Sequence, residues 1–303
     1  MNLIDVNKQF DTDAKCLAYL ENMRWPAGVR CVTCGTDKIS RVTRESKSKN
    51  KRTTFYQCLE NTCKQQFSPT AGTIFHDSHL PLHKWFLALA LMVDAKKGMS
   101  AKQLQRHLSI GSYRTAWYLF HRIRKAMEEN SGSLLSGTVE VDETYIGGRY
   151  DKRRKRGRYE KIPVAGLVER GGKVRTMKIP TASKDILVGV VMDNVDRKAK
   201  LMTDESRSYK TLGTIYEHKT VQHIALEYVR GNVHTNTIEG YWSLLKRGII
   251  GSFHQVSVKH LDRYLSEFEY RYNNRKEADL FSATLQRMMQ TIQMPYKVLT
   301  EKV

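Results

Sequence analysis

The chain has 303 residues, 40% of them hydrophobic and 27% charged, the make-up of an ordinary soluble globular protein with room for about two domains. Lys and Arg number 51 against 31 Asp and Glu, and the resulting charge of +20, with a pI near 9.7, calls for a polyanionic partner. Nucleic acid is the commonest one; an acidic membrane surface competes, but the longest apolar run, Trp85–Val93, is far too short to span a bilayer.

Met1–Val6 lacks a charged segment followed by an apolar core, so no signal peptide is expected and the cytoplasm is the expected compartment. In that reducing setting the five cysteines are expected as metal ligands or free thiols rather than disulfides. Asp13–Met23 predicts a helix that buries Cys16 as a small hydrophobe. Cys31-x2-Cys34 is followed by the looser pair Cys58-x4-Cys63. Two close cysteine pairs joined by a loop are what a tetrahedral Zn²⁺ needs, because each pair sits on a tight turn and the loop brings the turns together. Thr53–Cys58 and Lys64–Phe67 read as short strands around the pairs, and the polar, basic Arg41–Arg52 as a hairpin tip or surface loop. Together these predict a zinc ribbon; a set of unconnected buried cysteines is the competing reading. Four thiolates close the coordination sphere, so the zinc is expected to be structural rather than catalytic.

Leu82–Val93 predicts an apolar helix ended by Gly98, and Ser100-Ala101-Lys102-Gln103 a capping box that opens a second helix. Ile110-Gly111 predicts a turn, and Ser112 the start of a helix that carries Tyr113, Arg114, Arg122, Arg124 and Lys125. Two short helices joined through a glycine fit a helix-turn-helix whose second helix enters a DNA groove through Arg114 and Arg122. A plain three-helix linker has the same hydrophobic pattern. Gly132 and Ser133 mark a boundary.

Thr138–Ile146 alternates as a strand, with Val139 and Val141 on one face and Glu140 and Asp142 on the other. A carboxylate is disfavoured there and costly to bury, so Asp142 calls for a compensating cation, and a metal ion would serve. Arg149–Lys161 follows, including Arg153, Arg154, Lys155 and Arg156; beside an acidic strand this run is expected to track a phosphate backbone rather than merely face solvent. Val164–Arg170 and Lys173–Ile179 predict a hairpin about the Gly171-Gly172 turn. Ser183-Lys184-Asp185 opens a helix or crossover, and Ala199–Met202 predicts a short strand ending at Asp204, where α/β folds place reactive groups. Ser208, Tyr209, Leu212 and Ile215 suggest a helix. In His234–Arg247, Glu239, Trp242 and Lys246 share one helical face, which is an ordinary amphipathic pattern unless other carboxylates join it. Asp142 and Asp204 are such partners. Two aspartates and a glutamate from separate elements suit a pair of Mg²⁺ ions, which take oxygen ligands and leave positions for water or phosphate.

Taken with the four cysteines, the segments Phe67–His76, Val141–Gly148, Thr203–Ser206, His234–Arg247, His254–Leu261 and Phe268–Arg275 resemble, in order, bacterial insertion-sequence transposases that join an N-terminal zinc ribbon to a DDE catalytic domain. The resemblance spans nearly the whole chain. It implies an α/β fold: an RNase H-like mixed sheet flanked by helices, preceded by a small zinc ribbon and a helix-turn-helix module. The implied domains are a helical segment at 1–27, the ribbon at 28–70, the helical module at 71–131, the catalytic domain at 132–290 and a tail at 291–303. By the same resemblance Asp142 and Asp204 are the first two catalytic carboxylates and metal ligands, and Lys246 is the basic residue after the third.

Relatives in this group can carry asparagine in place of the glutamate, and Asn236 and Glu239 both stand near the start of the helix. Glu239 precedes Lys246 by two helical turns, the usual glutamate-to-lysine separation, which selects it and leaves Asn236 for a DNA contact or a place behind the ligands. The implied reaction is phosphoryl transfer with Mg²⁺ or Mn²⁺: water frees a 3′-hydroxyl at a transposon end, and that hydroxyl attacks target DNA. Lys246 and Arg247 are expected on flanking phosphates, and Trp242 is expected to pack under the metal site rather than touch an end base. The implied setting is the cytoplasm, on the nucleoid, as a homo-oligomer that pairs two ends. A DNA-binding regulator that has lost catalysis and an RNase H-like nuclease for RNA–DNA hybrids are the alternatives.

Overall fold

A computed structural model describes residues 1–43, 54–129, 132–147, 161–221 and 229–301. The basic run with Arg153, Arg154, Lys155 and Arg156, and most of the Arg41–Arg52 loop, lie outside the described residues. Two compact units emerge: residues 1–127 together with 277–303, and residues 128–276.

The first unit begins with α1 (Leu3–Gln9) and α2 (Asp13–Arg24), continues through strands β1 (Ile39–Thr43), β2 (Thr54–Cys58) and β3 (Gln66–Phe67), and then α3 (Leu82–Asp94), α4 (Ala101–His107) and α5 (Tyr113–Met127). The strands form an antiparallel three-stranded sheet in the order β1-β2-β3. Trp25, Tyr56 and Phe67 cluster ring to ring behind it, a core too small to hold a sheet of this size without further crosslinking. Cys16 is fully buried on α2, as its place on the apolar stripe requires.

Between α4 and α5 the chain turns at Ser109, a non-glycine residue with φ +47°, rather than at Gly111. Ser100 caps α4 by accepting the Gln103 N–H at 3.1 Å, but the capping box is only half made, because the Gln103 amide turns to His107 instead. Two helices at the C-terminal end of the chain, α9 (Leu280–Gln290) and α10 (Tyr296–Thr300), complete this unit, and Phe281 of α9 joins Phe10 and Phe86 in its aromatic core.

The second unit is a five-stranded mixed sheet. Its elements are β4 (Thr138–Ile146), β5 (Ile162–Glu169), β6 (Val174–Lys178), α6 (Lys184–Asn194), β7 (Lys200–Thr203), β8 (Glu217–Thr220), α7 (Asn236–Gly248) and α8 (Leu261–Asn273). The sheet order is β6-β5-β4-β7-β8, with β4–β6 an antiparallel meander and β7 and β8 parallel to β4. This is the RNase H-like arrangement. Burial on both faces makes β5 almost continuously apolar, whereas β4 alternates.

Val139 and Val141 point into one core, shared with Leu187 and Val191 of α6 and with Tyr209 and Leu212 of a 3₁₀ helix, Arg207–Thr214. That segment was expected as a helix, and it closes in the tighter 3₁₀ form. The opposite face is covered by α7 and α8, with Ile238, Tyr241, Trp242 and Leu245 buried at the i, i+3, i+4, i+7 spacing of an amphipathic helix. Beyond Gly248 the chain continues as a short π-helical turn, Ile249–Phe253.

Candidate active site and zinc centre

In the ribbon, Sγ of Cys31 lies 3.7 Å from Sγ of Cys63, and Sγ of Cys34 lies 3.6 Å from Sγ of Cys58. All four sulfurs fall within 4.8 Å of one another. Tetrahedral Zn–S bonds of about 2.3 Å put sulfur atoms about 3.8 Å apart, so the donor set and its spacing fit a structural zinc ion.

The second site is built on the acidic face of β4. Asp142 pairs across to Gly166 on β5, and a Cβ at Gly166 would stand 2.3 Å from Cζ2 of Trp242. Only glycine at that position lets the indole of α7 come down onto the sheet. There Nε1 of Trp242 donates to Oδ2 of Asp142 at 3.0 Å, and the indole is 3% exposed. Trp242 therefore packs under the carboxylate instead of facing outward. Burial, followed by the nearby carboxylates of Glu143 and Asp204, pushes the Asp142 carboxyl up to about 7. Two acidic neighbours and a desolvated carboxylate form a site that a cation would relieve.

Asp204 stands just past β7, where its Oδ1 accepts the Ser206 N–H at 3.0 Å, and the preceding Thr203 hydroxyl reaches Nε2 of His218. Glu143 leaves β4 on the side opposite Asp142 and accepts the Tyr209 hydroxyl; burial, with a contribution from Asp204, raises its carboxyl as well. Glu239, one turn before Trp242, is half-buried and accepts the Thr235 hydroxyl at 2.7 Å. Asn236, Lys246 and Arg247 are exposed on the same helix, and Nε of Arg247 returns to the Ser243 carbonyl. Among the described residues, the four cysteines form the one group of three or more His, Cys, Asp or Glu side chains gathered closely enough to hold a metal ion, and Asp142, Asp204 and Glu239 are not drawn together in that way.

Other expected residues separate by burial. Arg114 is exposed, with its guanidinium 4.0 Å over the Tyr296 ring. Arg122, expected on DNA, is 4% exposed: it donates to the Ile74 and His76 carbonyls and lies over Trp85, so it holds the fold of its own unit. Arg124 is likewise buried, over Phe120. The two stand about 200° apart around α5 and are both enclosed because His121–Arg124 is buried on every side of the helix.

Residues 134–273 match the ISXO2-like transposase domain, and residues 11–66 the transposase zinc-ribbon domain. The chain is 29% identical over 283 residues to an uncharacterized protein in transposable element ISH50 of Halobacterium salinarum, covering 87% of this chain and 92% of that one. The chain belongs to this insertion-sequence transposase family. An uncharacterized transposase-like protein of Haemophilus influenzae is 27% identical over 103 residues, 34% of this transposase and 82% of that protein. Structures of the pre-cleavage Mos1 transpososome and of the Mos1 strand transfer complex each cover 68% of the chain, and 78% and 75% of their own, at 13% and 11% identity. Both have a TM-score of 0.27, and a likeness that loose carries no argument about the site.

Sequence reading of the transposase missed Glu140. Its side chain is wholly buried, and it accepts from Nε of Arg170 at 2.7 Å, from the Thr237 N–H and hydroxyl at 2.8 Å each, and from the Ile238 N–H at 3.0 Å. Nδ1 of His234 lies 3.3 Å away. The available signal was a glutamate two residues before Asp142 on the same strand face, with no cation near it in sequence. Among the described residues of this transposase, no helix is long and apolar enough to cross a membrane.

Proposed function

We propose that this transposase cuts and joins DNA at the ends of its insertion sequence by metal-dependent phosphoryl transfer. The observation that carries the reading is the carboxyl of Asp142, raised by burial and by acidic neighbours, and tied through Trp242 to the helix that bears Glu239 and Lys246. Asp142, Asp204 and Glu239 would hold Mg²⁺ or Mn²⁺. Such ions, when bound, supply activation of the attacking oxygen and stabilisation of the leaving one. Trp242 keeps the Asp142 carboxylate oriented and shuts water out beneath it. Lys246 and Arg247, exposed along the last turn of α7, hold DNA phosphates on either side of the scissile bond, with Arg153, Arg154, Lys155 and Arg156 extending the contact. Asn236, exposed at the start of the same helix, would make a further DNA contact.

The ribbon, bearing Zn²⁺, and α4–α5 with Arg114 would select the terminal inverted repeats, with phosphate contacts positioning and base contacts specifying. A homo-oligomer on the nucleoid in the cytoplasm would pair the two ends. The test is a duplex carrying one end of the element, incubated with Mg²⁺ or Mn²⁺: wild type is expected to nick it at the end, and Asp142→Ala to bind it without nicking. Binding without cutting by wild type under either metal would replace the enzyme by a DNA-binding regulator. Cutting of RNA–DNA hybrids without end preference would replace it by a nuclease.

A further inference from the structure

We infer that Glu140 is a positioning residue: a buried carboxylate of the sheet that sets the rotation and the axial register of α7, and so aims Glu239 and Lys246. The inference rests on the reading that α7 carries active-site groups.

Thr235, at the N-cap of α7, gives the helix no side-chain cap, because its hydroxyl goes to Glu239. The exposed N–H groups that open any helix must then find acceptors elsewhere. Two of them, Thr237 and Ile238, are taken by Glu140 from the neighbouring strand, and the Thr237 hydroxyl joins them. A carboxylate also suits the positive end of the helix dipole. Arg170 balances its charge, and the same guanidinium donates to the Asn232 and His234 carbonyls at 2.7 and 2.8 Å, holding the chain that leads into α7.

Two ties therefore join β4 to α7: Glu140 to Thr237 and Ile238, and Asp142 to Trp242. The two strand residues between the ties advance about 6.6 Å and the four to five helix residues about 7 Å, so both bonds close with strand and helix running alongside each other in the same direction. Glu239 lies between the two anchors. A slip of one residue would rotate the helix by about 100°, turning the stripe of Glu239, Trp242 and Lys246 away from the acidic face of β4.

Glu140→Gln keeps the shape and one acceptor oxygen while removing the charge. Two measurements are made on the full zinc-loaded chain: backbone hydrogen exchange without DNA, and single-turnover nicking of a saturating end duplex in Mg²⁺. Exchange over residues 236–246 is expected to quicken about tenfold, with the β4–β5 amides unchanged. End-duplex Kd is expected to stay within about threefold while nicking slows at least about tenfold. Unchanged exchange in α7, loosening spread evenly over the sheet, or nicking at the wild-type rate would each overturn the inference. Should Glu140→Gln fail to fold, Thr237→Ala removes one donor and leaves the carboxylate paired; about threefold effects in both readouts are then expected, and their absence overturns the inference. Wild type that nicks nothing defeats the proposed function alone, because hydrogen exchange still decides whether Glu140 seats α7.

Discussion

Nε1 of Trp242 donates to Oδ2 of Asp142 at 3.0 Å, across a gap of one hundred residues in sequence. The indole thus does two jobs, filling the space above Gly166 and supplying a side-chain donor that lowers the Asp142 carboxyl. Trp242→Phe separates them, because phenylalanine packs but cannot donate. A hydrogen bond to a charged group contributes about 1.5–3 kcal/mol, so nicking of an end duplex is expected to slow by about tenfold or more. The folded state should lose at least about the same 1.5–3 kcal/mol while staying almost fully populated. Equal losses in rate and in folded fraction would show that packing alone matters.

Gly166 provides the converse experiment. A methyl there would overlap Cζ2 and Cη2 of Trp242, at 2.3 and 2.5 Å, and crowd Cδ1 of Ile238 at 3.0 Å, all on the helix that would have to back away. Overpacking of this kind costs about 1–3 kcal/mol, so Gly166→Ala should lower the denaturant midpoint and should also slow nicking by displacing α7. An unchanged midpoint would mean that α7 is free to shift.

These contacts show how far the sequence could be read. The strand at 138–146 was legible because Val139 and Val141 alternate with Glu140 and Asp142, and the ribbon because its cysteines come in two close pairs. Glu239, Trp242 and Lys246 were legible as a stripe, since helical spacing alone puts them together. What could not be read was what each face meets. Glu140 was placed on the face of Asp142 but given no role, because its partners, Arg170, Thr237 and Ile238, are 30 or more residues away. Arg122 and Arg124 looked like part of a basic recognition face, because a periodic pattern of apolar residues does not reveal which arginines are enclosed with them.

The two arginines of α5 are therefore expected to behave differently. Arg114→Ala, on the exposed side, should weaken end-duplex binding and reduce its salt dependence by about one phosphate contact, with unfolding unchanged. Arg122→Ala leaves the Ile74 and His76 carbonyls without their donor and removes a cation over Trp85, so about 2–3 kcal/mol of stability should be lost. Titrations against salt and denaturant unfolding check the pair. A reversed pattern would put Arg122, rather than Arg114, on the DNA.

The ribbon should hold one zinc ion per chain by elemental analysis. Cys58→Ser should weaken its hold and favour its release, since a thiolate is replaced by water or a neutral hydroxyl in the fourth position. Because Trp25, Tyr56 and Phe67 are nearly all the core this sheet has, metal loss should also unfold it, seen as faster proteolysis within residues 28–70. Full protection of the metal-free ribbon would show that its aromatic core suffices.

Glu269 gives the fold a pH dependence of its own. Its Oε2 accepts the N–H and hydroxyl of Thr176 at 3.1 and 3.2 Å, yet burial, reinforced by Glu129, pushes the carboxyl up to about 7 from its usual 4.5. Between those values the folded chain holds a proton that the unfolded chain has released. Stability from this group is therefore greatest at and below pH 4.5, declines as pH rises through the window, and levels off above about pH 7, a span of about 1–3 kcal/mol. Glu269→Gln keeps an acceptor for Thr176 and removes the titration. Its denaturant midpoint should gain on wild type as pH is raised from 5 to 8, and parallel pH profiles for the two proteins would place the titrating carboxyl elsewhere.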